Sequence, residues 1–572
     1  MAMATSLNDE VDQELLKTEI NHYSNTPEEY SDEDDNKTPE ETVDVDAHWL
    51  HTAGFSDIVS QLTDGQDVKD DDMENITSTL TRKQADVLRK RVNSLSATLK
   101  SKSKSSTHTD VRDIFPERAE ETEIKDFSSF DERSVQISGT PKNSKNDLPT
   151  ITDNEESNYH IKFERSNSRK GVSDLPYCEI KDEDVTLISD LSKADVLKLH
   201  SFVFMELTAI FDDHGLNITK KKTKKKFKEF GIFGTSLQTL YDRDVKKHPD
   251  LLVPLILKQM IGFLQQKGLR EEGILRVPGA MARIKQHRQV IEAKFPSGNF
   301  DWDHLDAKSS DVAGLLKQFL RELPQPLLTN EYIDAFSQVE EIKGVEAQVQ
   351  ALMMLFILLP DVHRNSLKLI LAFLKLITEN EEKNRMNLHN VSTIMAPNLF
   401  STGKSKRDSS KPQTFQLHAA TKCFKVVRLL IQYEKVWGIV PGFLLNQIRP
   451  PPTNKGFNIK KFFGRKDKSP NKTTALEEER KKKNRIKVTM GTSVSKDIHL
   501  HTGLTAGQVV EQILKEESVL SGSNLEGLKD KFLYEKGGNI NCRKLNPNCR
   551  LMQAFRDNPF ADWIISSKPP VS

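Results

Sequence analysis

Cysteine is scarce in this chain of 572 residues: there are four, and no two of them form a CxxC pair. Zinc sites and disulfide scaffolds need paired or clustered cysteines, so the sequence favours a reduced, intracellular protein with neither. The first residues, MAMATSLNDEVDQELL, contain no apolar core, and we expect no secretory signal there. The longest apolar run, residues 351–359, stops at Pro360 and is too short to span a bilayer.

Apolar residues are also few, at 36% of the chain, which is lower than in a fully globular protein. Positive and negative charges balance at 83 each but are segregated: residues 28–46 hold ten acidic residues and one lysine. Region 1–180 is therefore predicted to be mostly disordered and acidic or polar, with a short helix near 81–100. An apolar island at 47–59 is either a helix that docks on a partner or on the rest of the chain, or a transient helix.

A nucleotide-binding loop is missing as well. The segment GRKDKS at 464–469 lacks the second glycine and the spacing of a GxxxxGK[ST] loop. His363 and His389 have no nucleophile near them in sequence, so both are interpreted as core or capping histidines. We expect no cofactor, no metal and no GTP hydrolysis by this chain itself.

What is present is a conspicuous turn, GLREEGILRVPG, at residues 268–279. Gly268 is predicted to end a helix in the left-handed conformation, and Pro278-Gly279 to form a tight turn before the next helix. Arg276 would then sit at a fixed corner of the chain. Considered alone, it could equally be an ordinary surface arginine on a turn.

Two further stretches accompany that turn. SDVAGLLKQFLRELPQP at 310–326 predicts an apolar helix face, with Lys317 and Arg321 one above the other on the opposite side. NRMNLHNVSTIMAPNLF at 384–400 places Asn398 just past a proline that is expected to stop a helix. Alternatively, the basic pair belongs to a solvated helix face and Asn398 is a helix-terminal turn residue.

Together, in this order, the three stretches resemble the Rho GTPase-activating protein (RhoGAP) domain, over residues 231–440. The resemblance implies an all-α domain that binds a GTP-bound Rho-family GTPase, with the RhoA class favoured, and accelerates its hydrolysis of GTP. Arg276 matches the arginine finger, Lys317 and Arg321 the basic pair that supports the finger loop and contacts the GTPase, and Asn398 an asparagine at that interface. Pro278 departs from the serine common in the family. The chain would be an activator rather than an enzyme, acting on the actin cytoskeleton; the alternative is an inactive GTPase-binding adaptor.

Lysine-rich stretches flank this domain. Region 181–230 combines a helix at 191–211, capped by Ser192, with KKKTKKKFK at 220–228. The basic, proline-containing linker 441–484 places lysines around Phe457, Phe462 and Phe463. An anionic membrane surface, a nuclear import receptor and nucleic acid are electrostatically suitable partners for the lysine run, and a plain solvated linker is the alternative. Nucleic acid is not expected, because no recognisable nucleic-acid-binding fold accompanies the basic residues. We expect a cytoplasmic protein, associated with cytoskeleton or membrane, or imported into the nucleus through 220–228.

The last region, 485–566, changes to strand periodicity. Strands are predicted at 485–490, 495–501 and 532–535, and a helix at 506–516. This order resembles a small α+β ubiquitin-like (β-grasp) domain of the Ras-associating type. The predicted fold is thus multidomain. This combination resembles the subgroup of Rho GTPase-activating proteins 18, 28 and 40, and number 28 most.

Overall fold

The computed structural model describes residues 45–105, 161–164, 175–180, 185–218, 231–295, 300–302, 305–401, 413–449, 484–491, 494–521 and 530–570. The lysine run at 220–228, most of the acidic segment 28–46 and three phenylalanines of the linker, Phe457, Phe462 and Phe463, lie outside the described residues.

Four helices form the first folded unit: α1 (Val45–Thr52), α2 (Ser56–Thr63), α3 (Asp70–Thr77) and α4 (Arg82–Ser105). Helix α4 is the helix predicted near 81–100, and its apolar stripe is buried at Val87, Leu88, Val92 and Leu95. The apolar island at 47–59 forms α1 and the start of α2. It docks on the rest of the chain, because Trp49 and Leu50 are buried and Trp49 Nε1 donates to Thr208 Oγ1 at 3.0 Å.

A hairpin and a long helix follow. Strand β1 (Ile161–Glu164) pairs antiparallel with β2 (Tyr177–Ile180), and β3 (Thr186–Leu187) leads into α5 (Lys193–Asp213). The Ser192 side chain accepts from Asp195 N at the start of α5, as predicted. The apolar spacing of this segment predicts Leu197 on the buried face of the helix, but Leu197 is 70% exposed.

The main helical domain then runs from α6 to α16. Its elements are α6 (Leu237–Asp244), α7 (Leu255–Lys267), α8 (Met281–Lys294), α9 (Ser309–Arg321), α10 (Thr329–Gln338), α11 (Val345–Leu358), α12 (Asp361–Glu379), α13 (Glu381–Asn384), α14 (Leu388–Leu399), α15 (Gln413–Gln432), β4 (Ile439–Val440) and α16 (Gly442–Ile448).

The core of this domain lies around α11 and α12. The sequence predicts segments 351–359 and 367–377 to be apolar nearly all round. Helix α11 fits this, because residues 351–358 are all buried. Helix α12 does not: it is amphipathic, with one face of buried Leu, Ile and Phe side chains, and Lys368 and Lys375 are partly exposed. Helix α5 packs against α11 and α16, and β3 pairs with β4. Residues that precede 231 therefore contribute directly to the core of the helical domain.

Helix α7 begins later than the sequence predicts. Pro249 and Asp250 predict a helix that opens there and runs to Lys267, with Leu252 facing inward. The observed helix has Leu255 as its first residue, and Leu252 is 66% exposed. Pro254 disfavours helical backbone in the residue before it. The carboxylate of Asp244 then caps the helix, because its Oδ2 accepts from Leu255 N at 2.7 Å.

The C-terminal domain is a five-stranded sheet with two helices. Its elements are β5 (Arg485–Met490), β6 (Val494–His499), α17 (Ala506–Ser521), β7 (Phe532–Gly537), β8 (Ile540–Lys544), α18 (Leu551–Asp557) and β9 (Asp562–Ser566). The strand order is β6-β5-β9-β7-β8, with β5 and β9 parallel and the other pairs antiparallel. The predicted fold class is confirmed; β8, α18 and β9 are additions to the predicted elements.

The sheet is attached to the helical domain through β8. The carboxylate of Asp195, at the start of α5, accepts from Asn541 Nδ2 at 2.7 Å and from Cys542 N at 3.1 Å. In β7, the Glu535 carboxylate accepts from Arg449 Nη2 at 3.0 Å and from Arg543 Nε at 2.9 Å. Glu535 is fully buried, so a buried cluster of charged side chains links the two domains.

In the described parts of the chain, every helix is too short or too polar to cross a bilayer. The same residues contain no group of three or more histidine, cysteine or acidic side chains arranged to hold a metal ion.

Candidate functional site

The loop between α7 and α8 carries the turn that the sequence singles out. Gly268 ends α7 as predicted, but its φ of −102° is not left-handed. Glycine is needed there for space, because a Cβ would lie 2.9 Å from Ile274 Cδ1 and 3.0 Å from Leu264 O. The loop therefore folds tightly back on the end of its own helix.

Two residues with positive φ shape the middle of the loop: Gly273 at 72° and Leu275 at 69°. The amides of Arg276 and Val277 both donate to Gly273 O at 2.8 Å, which closes a compact turn. Ile274 and Leu275 are buried, whereas Arg276 is exposed. The aliphatic pair anchors the turn, and the next side chain points to solvent.

Helix α9 holds this turn through Lys317. The Lys317 ammonium donates to the carbonyl oxygen of Leu275 at 3.1 Å, directly before Arg276. A leucine in the left-handed region is uncommon and requires support from its surroundings. The charge-assisted hydrogen bond from Lys317 supplies part of that support.

Arg321, one turn further along α9, makes a different contact. Its Nη1 donates to Asn398 Oδ1 at 3.0 Å, and Asn398 Nδ2 donates to Ile394 O at 2.8 Å. Asn398 is only 1% exposed. The four predicted site residues thus form two groups along α9, the Lys317 contact with the Arg276 loop and the pair of Arg321 with Asn398.

The expectation that the proline before Asn398 stops a helix is wrong, because Pro397 lies inside α14, which continues to Leu399. Proline removes one backbone donor. It does so here in the last turn of the helix, where the Asn398 side chain bonds to the Ile394 carbonyl four residues earlier.

Two residues that no sequence pattern singled out, Asp311 and Asn384, fix the loop from its other sides. Asp311 Oδ1, in the first turn of α9, accepts from Ala280 N at 3.1 Å, and Asn384 O accepts from Gly273 N at 2.8 Å. Gly279 passes so close to Asp311 that a Cβ would lie 2.5 Å from Oδ1. Both residues stand at the start of the stretches quoted above, but their partners are distant backbone atoms that no local pattern reveals.

Asp311 also forms an ion pair, with Arg283 Nε 2.8 Å from Oδ2. Burial raises the pKa of the Asp311 carboxyl, whereas the hydrogen bond and charge of Arg283 lower it, and the net shift is downward. The carboxylate is therefore charged at neutral pH and can hold the Ala280 amide.

Chemically, the site presents one guanidinium on a rigid support. Arginine stays charged at any physiological pH and offers a planar fork of donors that matches phosphate oxygens. Arg276 and Lys317 together place two positive charges at the loop, one on the exposed turn and one on the carbonyl oxygen of Leu275.

Family sequence models match three parts of the chain. A RhoGAP domain matches residues 254–404, an N-terminal SAM domain like that of Rho GTPase-activating protein 18 matches 27–103, and a C-terminal ubiquitin-like domain described as RHG40-like matches 484–568. The SAM match includes α1 to α4, of which the sequence analysis predicted only α4 as a firm helix. Helices α1 to α3 have eight residues each, and the first turn of α3 is acidic, so they lack the long apolar period that reveals a helix.

Whole-chain relatives extend these matches. Rho GTPase-activating protein 18 of Mus musculus is 34% identical over 93% of this chain and 85% of the relative. Number 28 of Homo sapiens is 30% identical over 92% and 85%, and number 40 of Homo sapiens is 30% identical over 95% and 85%. The chain belongs to the family of RhoGAP-domain proteins. Within that family it falls with the subgroup of numbers 18, 28 and 40, although the predicted preference for 28 is incorrect, since 18 is more similar.

Proposed function

We propose that this chain accelerates GTP hydrolysis by a Rho-family GTPase of the RhoA class, and that Arg276 is the arginine finger it supplies. The observation that carries the proposal is the exposed Arg276 side chain on a turn whose backbone is held by Lys317. Membership of the RhoGAP family supports the substrate class, and the subgroup resemblance supports the RhoA class.

The mechanism follows from charge. When the bond to the γ-phosphoryl group breaks, negative charge redistributes over the phosphate oxygens, and a guanidinium delivered there stabilises the transition state more than the ground state. Such a finger contributes about 10³–10⁵ in rate, or roughly 4–7 kcal/mol. The GTPase holds GTP, Mg²⁺ and the attacking water, and this chain contributes positive charge and position.

Position accounts for the remaining site residues. A bound group that is displaced by about 1 Å can lose about 10²-fold in rate. Lys317 fixes the turn through its hydrogen bond to Leu275 O, and the hydrogen bond between Arg321 and Asn398 holds α9 and α14 together. We assign these three residues to finger support and to the GTPase interface.

The decisive experiment is single-turnover GTP hydrolysis by a panel of Rho, Rac and Cdc42 proteins with the full chain. We expect acceleration that is largest for RhoA-class proteins and that Arg276→Ala lowers by at least 10²-fold. An inactive adaptor would instead bind the GTP-bound GTPases without changing their rate. A cell that overproduces the protein should lose Rho-dependent actin bundles, and Arg276→Ala should leave them intact.

We further propose that the protein acts in the cytoplasm at anionic membrane surfaces, to which the lysine run at 220–228 steers it. Replacing these lysines by glutamine should weaken binding to phosphatidylserine vesicles and leave hydrolysis by a soluble GTPase unchanged. If vesicle binding persists, the run acts as a linker or a nuclear import signal.

A further inference from the structure

Asn384 is a fully buried polar residue at the end of α13, and its side chain spans two parts of the domain. Its Nδ2 donates to Leu269 O and to Ile377 O, each at 2.9 Å, and its Oδ1 accepts from Met386 N at 2.8 Å. Leu269 lies at the start of the Arg276 loop, whereas Ile377 belongs to the core helix α12. The Asn384 amide therefore ties the loop to the core helix α12.

The main chain of Asn384 makes a second connection to the same loop. Its carbonyl oxygen accepts from Gly273 N at 2.8 Å. Gly273 is the residue whose own carbonyl accepts from Arg276 N and Val277 N. One residue thus reaches the loop at its beginning and at its central turn.

Strained backbone flanks this connection on both sides. Arg385, directly after Asn384, has φ 58°, and Leu275, directly before Arg276, has φ 69°. Left-handed conformations of such side chains cost free energy and persist only where surrounding contacts impose them. The hydrogen bonds of Asn384 connect the two segments that contain these strained residues.

We infer that Asn384 is a positioning residue for Arg276. It fixes the position and orientation of the loop relative to α12 without touching the GTPase. The inference rests on the proposed function of Arg276 and extends it to a buried residue of another helix. The two contacts with Leu269 and Gly273 hold the turn in a single position relative to α12. Loss of the amide donor would free the loop to occupy several positions, of which few present the guanidinium correctly.

The first test measures the loop itself. Hydrogen exchange of the peptide that spans residues 268–277 is compared in the wild-type full chain and in the variants Asn384→Ala and Asn384→Asp, the second of which keeps the size and the acceptor. The matched control is Asn387→Ala, which removes the cap of α14, where Asn387 Oδ1 accepts from Asn390 N at 2.8 Å. We expect roughly 10-fold faster exchange of the loop in both Asn384 variants and no change there in the control. Unchanged exchange in a folded Asn384 variant overturns the inference.

The second test asks whether the effect passes through Arg276. Asn384→Asp should lower the maximal single-turnover rate on the order of 10-fold to 100-fold, with a smaller change in the GTPase concentration needed for half-maximal rate. In the Arg276→Ala background the same change should have almost no further effect, because the group that it positions is gone. A residue that only stabilised the domain would lower activity equally in both backgrounds, and that result would refute the inference. If Arg276→Ala alone retains full turnover while loop exchange rises in the Asn384 variants, it is the proposed function of Arg276 that fails.

Discussion

The Lys317 ammonium lies 3.1 Å from the carbonyl oxygen of Leu275 and donates a hydrogen bond to it. Leu275 is buried with a positive φ, and Arg276 follows it directly. The lysine therefore acts on the backbone that aims the arginine, so that one of the two cations supports the other. Lys317 supports the turn, and Arg276 is the exposed cation that the turn carries.

Replacing Lys317 by alanine should remove this support. We expect a decrease of about 10-fold to 100-fold in the maximal rate of GTP hydrolysis, together with weaker binding to the GTP-bound GTPase, since part of the interface moves with the loop. Single-turnover kinetics and a binding titration measure the two effects separately. Lys343→Ala removes an exposed lysine before α11 and serves as the control. A Lys317→Ala protein with normal rate and affinity would show that the hydrogen bond is incidental.

Local patterns predicted much of this molecule, because the strongest patterns coincide with real elements. The apolar stripes of α4, α5, α9, α11 and α12 and the alternation in β5 all correspond to observed helices and strands. Contacts between distant segments were not predictable in this way. The bonds from Asn384 to Leu269 and from Asp311 to Ala280 span 115 and 31 residues, and they depend on how helices pack rather than on any spacing.

The same distinction explains the errors. Asn398 follows a proline and was expected at a helix end, but its burial arises from α9 packing across it. Leu197 and Leu252 are apolar and were expected inside, yet both are exposed because the faces of α5 and of the segment before α7 are set by tertiary contacts. Periodicity assigns a face only when the helix bounds are known.

Asp311→Asn should loosen the loop on its C-terminal side. The variant loses the ion pair with Arg283 and should be less stable by about 1 kcal/mol, a modest value because Arg283 is 41% exposed and solvent screens the pair. The pKa of Asp311 is lower in the folded than in the unfolded state, so its stabilising effect is complete above the unfolded pKa, about 4, and disappears as pH falls through the folded value. Denaturant unfolding of both proteins between pH 3 and pH 7 measures the difference. His287 Nε2 also lies 3.8 Å from the carboxylate, so His287→Gln serves as a control for the contact with this neighbour. A gap between wild type and Asp311→Asn that widens towards acid pH would contradict the assignment.

The boundary of the helical domain can be tested by truncation. The sequence placed it at residues 231–440, yet α5 packs on α11 and α16 and β3 pairs with β4. We propose 185–449 as the smallest stable unit and expect fragment 231–440 to be less stable by several kcal/mol, because it exposes the apolar surface that α5 covers. Urea unfolding monitored by far-ultraviolet circular dichroism compares the two fragments. Equal midpoints would show that α5 is an accessory element.

Glu535→Gln tests the buried charged cluster that links the ubiquitin-like and helical domains. Burial lowers the pKa of Arg449, and the charge of Glu535 opposes that shift most strongly. Without Glu535, only the charge of Asp557 opposes burial and the repulsion from Arg543. Removing one partner of a buried ion pair costs about 3–5 kcal/mol, so we expect the C-terminal domain to detach or unfold at lower urea concentration. Tryptophan fluorescence from Trp563, which is buried in that domain, reports the event. Glu516→Gln removes a carboxylate that is 48% exposed and should have little effect. Coincident unfolding curves for wild type and Glu535→Gln would mean that the charged cluster adds nothing to docking.

Arg276→Lys distinguishes a finger from a simple surface charge. Lysine keeps the positive charge but loses the planar fork that can donate to two phosphate oxygens at once. Its side chain is also shorter, and its ammonium group is more strongly hydrated. If Arg276 acts mainly in the transition state, the maximal rate should fall by on the order of 10²-fold or more, while affinity for the GTP-bound GTPase changes only a few-fold. Affinity is retained because Lys317, Arg321 and Asn398 keep their contacts with the loop and with each other.

The comparison with Lys317→Ala makes this prediction specific. Both substitutions affect one loop, but Lys317→Ala should impair rate and affinity together, whereas Arg276→Lys should impair rate alone. Single-turnover hydrolysis and a binding titration on the same preparations give both quantities for each variant. Hydrogen exchange over residues 268–277 should stay at the wild-type level in Arg276→Lys, because the exposed side chain does not hold the turn. Near-normal turnover by Arg276→Lys would show that only its charge matters, and the assignment of Arg276 as a finger would then be wrong.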